Sequence, residues 1–231
     1  MLFSSLLLPV VLLQGGGKLE ITDVKVGHGP AAHSGDILIM DYTGKLTSGK
    51  VFDSSSAHPG APPFQFLLGA GDVIKGWDQG LVGMKEGGKR HLVIPPDLAY
   101  GSHAMGADIP ANSTLVFDVE LKEIARVMIV TTKPGPGPAT KLLSSIQVHW
   151  ILKLGDGKKI DSTYDRKAPQ TLRIGDRRLP PGLNQAFIGM KVGEKRTATI
   201  LPAQGFGPDQ RGPIPPNSTL IVDLELVKIL P

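Results

Sequence analysis

The chain has 231 residues, 41% hydrophobic and 20% charged, which suits two globular domains of about 100 residues each and excludes a disordered polymer. Gly (29) and Pro (20) together exceed a fifth of the sequence, favouring a turn-rich β protein, and the absence of cysteine excludes disulfides, thiolate catalysis and cysteine metal sites. The net charge of +4 is unevenly spread: Lys18–Arg126 carries 10 Lys and Arg against 13 Asp and Glu, Val127–Pro231 carries 15 against 8, and neither half has the basic blocks or aromatic–basic interleaving of a nucleic-acid platform.

In chain order, the apolar run Met1–Leu13 comes first. It is too short to span a bilayer but has the length of a secretory h-region. Gly15-Gly16-Gly17 could hold a cleavage site, although no Lys or Arg precedes the run. Residues 1–17 are therefore expected to be a signal peptide, leading to the endoplasmic reticulum lumen or secretion, with a cytoplasmic location as the alternative. Ile37–Tyr42 is strand-like and is followed by turn signals at Thr43-Gly44 and Ser48-Gly49. Lys75–Met84 is the helical candidate of the first half, with Trp77, Leu81 and Met84 at i, i+4 and i+7. Arg90–Ile94 is a strand stopped by Pro95-Pro96, and Val116–Ile124 alternates apolar with charged residues as a half-buried strand does. Pro134-Gly135-Pro136-Gly137-Pro138 cannot sustain a helix or a central strand, so residues 131–139 are expected to be a linker.

Beyond the linker the pattern repeats. Thr114–Leu121 matches Thr219–Leu226, and Ile109–Ser113 matches Ile214–Ser218; Gly83-Met84-Lys85 matches Gly189-Met190-Lys191, and Gly49-Lys50 with Asp53 matches Gly157-Lys158 with Asp161. Two copies of this size are duplicated domains rather than solenoid repeats. The expected domains are 18–130 and 140–231, each α+β: strands in an antiparallel sheet with one short helix covering a face.

The first copy contains Phe52-Asp53-Ser54-Ser55, Phe64-Gln65-Phe66-Leu67-Leu68-Gly69, Val73-Ile74-Lys75-Gly76-Trp77-Asp78-Gln79-Gly80-Leu81 and Ala99-Tyr100-Gly101. In order and spacing these motifs resemble the FKBP family of peptidyl-prolyl cis-trans isomerases, and the Val73–Leu81 wording is most similar to its small secretory-pathway members. The resemblance implies two tandem FKBP-like domains, each a twisted antiparallel sheet wrapped around one short helix. It also implies a shallow apolar bowl in the first copy. Tyr42, Asp53, Ile74, Trp77 and Tyr100 would be catalytic there, and Phe52, Phe64, Phe66, Val73, Ile109 and Phe117 would bind substrate. All seven aromatics of Lys18–Arg126 fall at these positions. By the same resemblance Trp77 is the floor, the Ile74 backbone N–H holds the substrate carbonyl, the Tyr100 hydroxyl donates a hydrogen bond, and Asp53 orients polar groups at the rim. The implied partners are prolyl polypeptides and macrolides such as tacrolimus and rapamycin, with the chain a monomer and no cofactor or metal required. A non-catalytic chaperone or scaffold that binds prolyl segments is the competing reading.

Some residues depart from the family pattern. Leu98 stands where a tyrosine is frequent, Asp108 where an apolar residue is, and the enlarged loop Ser56–Ala61 lacks the basic residue that some members pair with the aspartate. The second copy departs further. Opposite the seven aromatics stand Trp150, Ile160, Gln170, Leu172, Leu183, Phe206 and Val222, and Pro180 stands opposite Ile74. Proline has no backbone N–H, so this copy is expected to keep the fold and lose the site, with Asp161 a turn residue. Asn112-Ser113-Thr114 and Asn217-Ser218-Thr219 are N-glycosylation sequons; the six histidines show no metal-ligand spacing, and Glu86-Gly87-Gly88-Lys89 is too short for a phosphate-binding loop.

Overall fold

The structure is a computed structural model that describes residues 10–12, 17–61 and 63–231. The chain forms two compact units: the first comprises the described residues up to Ser34 with Leu38–Ile124, and the second Gly35–Ile37 with Ala125–Pro231.

The first unit contains β1 (Val10–Leu12), β2 (Leu19–Lys25), β3 (Ile37–Leu46), β4 (Val51–Ser54), β5 (Phe64–Leu67), α1 (Lys75–Gly80), β6 (Lys89–Ile94) and β7 (Leu115–Ala125). The sheet order is β1-β2-β6-β7-β3-β4, with β5 also pairing with β3. The second unit contains β8 (Met128–Lys133), β9 (Ser145–Leu154), β10 (Lys159–Ser162), β11 (Gln170–Arg173), α2 (Pro181–Phe187), β12 (Lys195–Ile200) and β13 (Leu220–Ile229). Its sheet runs β8-β12-β13-β9-β10, with β11 on β9. Strand for strand this is the order of the first sheet without β1. The two units are thus the tandem α+β domains expected from the repeat.

Alternation builds each core. Leu115, Phe117, Val119 and Leu121 point inward from β7, and Leu220, Val222, Leu224 and Leu226 do the same from β13. The helix lies almost on the sheet. A Cβ at Gly76 would come 2.3 Å from the Ile94 side chain, and one at Gly182 would come 2.6 Å from Ile200. Each glycine therefore permits the close approach that brings the next helical residue, Trp77 or Leu183, over the sheet.

A buried arginine pins the far end of each helix. Arg90 Nη1 donates to the carbonyls of Gly80 (2.7 Å) and Val82 (3.3 Å) while its guanidinium pairs with Asp23. Arg196 Nη1 donates to Ala186 (3.1 Å) and Ile188 (3.3 Å) and pairs with Glu194. These carbonyls are among those that a helix C-terminus leaves unsatisfied, where a cation is also favoured. At the other end, the Asp78 carboxylate accepts the Gly69 and Gly71 N–H groups (2.7 and 3.0 Å), and Asn184 Oδ1 accepts that of Gly175 (2.8 Å).

Two expectations change. The first helix stops at Gly80 rather than Met84: Gly83 takes φ +77° and the chain turns away, although Leu81 and Met84 stay buried. The expected linker at 131–139 is part of the second unit. Met128–Lys133 pairs with β12 as its edge strand, since Ile129, Val130, Thr131 and Thr132 are good strand formers. The proline–glycine run that follows is tied down by Gly137 N–H to Val192 O (3.2 Å) and Val192 N–H to Pro138 O (3.0 Å). Of the expected signal peptide, Val10–Leu12 pairs with Leu19–Ile21 as β1, and residues 1–9 and 13–16 lie outside the described residues. No helix among the described residues is long and apolar enough to cross a membrane.

Candidate functional site

The first unit holds an open bowl of about 250 Å³ where its helix meets its sheet. Tyr42 enters it from β3, Phe52 and Asp53 from β4, Phe64 from β5, Val73 and Ile74 from the approach to α1, Trp77 from the first turn of α1, Tyr100 from the loop after β6, and Phe117 from β7.

Trp77 is 3% exposed and forms the hub of an aromatic cluster. Its ring centroid lies 5.2 Å from Phe117, 5.5 Å from Tyr42, 5.8 Å from Phe66 and 5.9 Å from Phe64. Three of these contacts are edge-to-face, the arrangement that the ring quadrupoles favour. The indole Nε1 is buried and finds no acceptor among the described residues. Two expected substrate residues sit deeper than anticipated. Phe66 (4% exposed) packs beneath Phe64 and Trp77 because β5 descends from rim to core, and Ile109 (7%) belongs to the core. Neither lines the bowl.

The polar rim centres on Asp53. Its carboxylate accepts from the Tyr42 hydroxyl (2.7 Å) and the Ser54 N–H (2.8 Å), and His58 Nε2 lies 3.0 Å away. Burial pushes the Asp53 carboxyl up, but these three hydrogen bonds outweigh it and hold the group below the usual aspartate value. Burial first, then the Asp53 contact, pushes the Tyr42 hydroxyl well above the ordinary tyrosine range; burial and the Asp53 charge likewise raise Tyr100. Both phenols therefore stay protonated as donors at neutral pH. Ile74 caps the start of α1 with φ −62° and ψ 150°, and its own N–H meets no acceptor among the described residues.

Two residues of this rim went unrecognised in the sequence. Asp72 lines the bowl and accepts the Leu67 N–H (3.3 Å). His58 supplies the ring nitrogen beside Asp53 that the loop was expected to lack. The repeat held the signal for it, because Arg166 stands five residues after Asp161 as His58 does after Asp53. Asp108 pairs instead with Lys50 (2.8 Å) on the surface.

In the second unit Pro180 caps α2 at φ −61° and ψ 147°, nearly the backbone of Ile74, and offers no N–H. Trp150, Ile160, Leu172, Leu183 and Phe206 are partly buried against the core. Asp161 is more than a turn residue: its carboxylate accepts from Trp150 Nε1 (2.9 Å) and from both terminal nitrogens of Arg166.

The model of a family described as FKBP-type peptidyl-prolyl cis-trans isomerase matches residues 29–122 and 137–227. Human peptidyl-prolyl cis-trans isomerase FKBP9 is 34% identical over 198 residues, 83% of this chain and 34% of its own length. FK506-binding protein 4 of Chaetomium thermophilum is 54% identical over 117 residues, 51% of this chain and 23% of its own length. The crystal structure of AtFKBP13 matches with 45% identity and a TM-score of 0.43, covering 46% of this chain and 93% of that one. The chain spans about a third of the length of the curated relatives it matches.

Proposed function

Because this chain belongs to the FKBP-type peptidyl-prolyl cis-trans isomerase family, we propose that the bowl of its first unit isomerises X-Pro bonds of polypeptides and that its second unit is catalytically silent. The observation that carries this reading is the Ile74 N–H at the edge of an aromatic bowl, without an acceptor among the described residues, set against Pro180 at the same backbone position of the other unit.

The reaction needs no nucleophile. Rotation about an X-Pro bond crosses a barrier of roughly 18–20 kcal/mol, set by amide resonance. The prolyl ring rests on Trp77 between Phe64, Phe117 and Tyr42, where water is displaced. The Ile74 N–H receives a carbonyl of the substrate and fixes one side of the rotating bond. Tyr100, protonated, donates from the opposite rim, and Asp53 keeps the Tyr42 hydroxyl turned away from the prolyl ring. An apolar surround favours the twisted amide, which has less charge separation, over the planar one, and each ~1.4 kcal/mol of such preference is tenfold in rate. The same surface is expected to capture macrolides such as tacrolimus and rapamycin.

A protease-coupled assay of the full chain with a short X-Pro-Phe peptide tests this proposal. The expected result is catalysis that saturating rapamycin abolishes. A folded chain with no rate above background overturns it and favours the non-catalytic binder. We also place the protein in the secretory pathway, from its apolar N-terminal run and two sequons. Asn112 and Asn217 are exposed at left-handed turn positions (φ 58° and 55°), where a glycan meets no packing. N-terminal sequencing and a glycosidase shift of the expressed protein check that assignment.

A further inference from the structure

Asp53 and Asp161 occupy the same place in the two units, and the same set of donors serves both. A ring donor from the long strand reaches Oδ2: Tyr42 Oη at 2.7 Å in one unit and Trp150 Nε1 at 2.9 Å in the other. The next residue's backbone N–H joins it, from Ser54 or Ser162. The third partner comes from five residues further on, His58 in the first unit and Arg166 in the second. Only this third partner can carry a positive charge, and it does so differently in the two units. An arginine carries its charge at every physiological pH, whereas a histidine gains and loses its charge between about pH 5 and 8.

The approach of His58 is built into its loop. Ser55–Ala57 forms a single 3-10 turn capped by Ser54 Oγ, which accepts the Ser56 N–H (3.3 Å). The His58 N–H then donates to the Ser55 carbonyl (3.4 Å), and the His58 carbonyl accepts from Ala61 (3.1 Å). The His58 ring meets Asp53 on β4, and the other titratable groups of the bowl that Asp53 lines are Tyr42 on β3, Asp72 before α1 and Tyr100 after β6. The titratable groups that line this bowl are acids and phenols, so a charged imidazole beside Asp53 meets attraction.

We propose that His58 is a positioning residue of the first unit: it holds the Asp53 carboxylate, and through it the Tyr42 hydroxyl, and so makes capture of the prolyl substrate pH-dependent in a way that the arginine of the second unit could not. The proposal rests on the reading of this bowl as the isomerase site. When charged, the ring makes a charge-assisted hydrogen bond to the carboxylate, the stronger kind. When neutral, it offers at most an ordinary one, and the carboxylate is freer to turn away from Tyr42. The side chains are 58% and 41% exposed, so the effect is on the few-fold scale of a solvated pair.

The test is kcat/KM of the full chain on a prolyl peptide between pH 5.5 and 8.5. The wild type is expected to lose about threefold as pH rises through the histidine range. His58→Arg should hold the low-pH rate throughout, and His58→Ala should sit at the high-pH rate throughout. A flat wild-type profile, or the same fall in His58→Ala, overturns the proposal. NMR titration of the Asp53 side-chain carboxyl separates this inference from the isomerase reading. Loss of His58 should raise the titration midpoint of that carboxyl whether or not the protein is active. An inactive wild type overturns the isomerase reading, and an unmoved midpoint in His58→Ala overturns the His58 contact independently.

Discussion

The two units share their frame and differ in their furnishing. Both set a glycine under the helix, a buried arginine over its last carbonyls and an amide or carboxylate at its start, in sheets of matching order. What differs is the lining. Trp77 becomes Leu183, Phe64 becomes Gln170, Phe117 becomes Val222, and the Ile74 N–H becomes a proline nitrogen. The residues that hold the helix on the sheet are thus separate from those that line the bowl, so one set could diverge while the other stayed.

The largest expected effect tests the frame. Arg196 and Glu194 are 8% and 7% exposed as side chains. Replacing Arg196 with Met removes the cation paired with the buried Glu194 and should destabilise the second unit by about 3–5 kcal/mol in urea, with the rate in the isomerase assay unchanged. If activity falls with stability, the units are not the independent carriers of frame and site argued above.

Trp77→Ala attacks the furnishing of the first unit. It removes the floor and opens a cavity, and prolyl and macrolide affinity should drop by roughly 2–4 kcal/mol in calorimetry, with circular dichroism as the control for folding. Ile74→Pro makes the first unit resemble the second at one atom. Its φ of −62° already suits proline, so the melting temperature should hold while kcat/KM falls by the worth of one lost hydrogen bond, about 1–1.5 kcal/mol or more. An unchanged rate would mean that this N–H does not meet the substrate.

The smallest effect is a pH dependence of the second unit alone. Burial pushes the Glu194 carboxyl up, but hydrogen bonds from the Lys191 N–H and from Arg196 outweigh it and leave the folded value depressed. A depressed acid contributes stability above its unfolded value, and that contribution is lost as pH falls through the folded one. The second unit should therefore lose stability below about pH 4, measured as urea midpoints at pH 7 and 3.5. The Arg196→Met variant should lose less of it.

Much of this was legible in the chain. The repeat announced two domains, and the resemblance of the first copy's motifs to the FKBP family implied a bowl at Tyr42, Phe52, Phe64, Trp77 and Phe117. What escaped reading depends on long-range pairing. Met128–Lys133 is a strand only because β12 offers it an edge, and the proline run beside it drew the eye to a linker. Arg90 and Arg196 look like surface charges until the fold brings helix carbonyls to them. Phe66 differs from Phe64 only in depth along β5, which a strand pattern does not encode. His58 belongs to a loop whose own hydrogen bonds decide where its ring goes.

The matched backbones of Ile74 and Pro180 have a consequence for how such a protein can evolve. The conformation that presents the donor is one that proline already prefers, so a duplicated copy could shed its donor in a single step without disturbing its fold. Selection on folding alone would not notice the change. Return is harder: restoring an N–H at position 180 would still leave Leu183, Val222 and Gln170 where the first unit has Trp77, Phe117 and Phe64. On the proposed reading of the second unit as silent, such a change is a ratchet, easy to enter through one atom and hard to leave without rebuilding several side chains together.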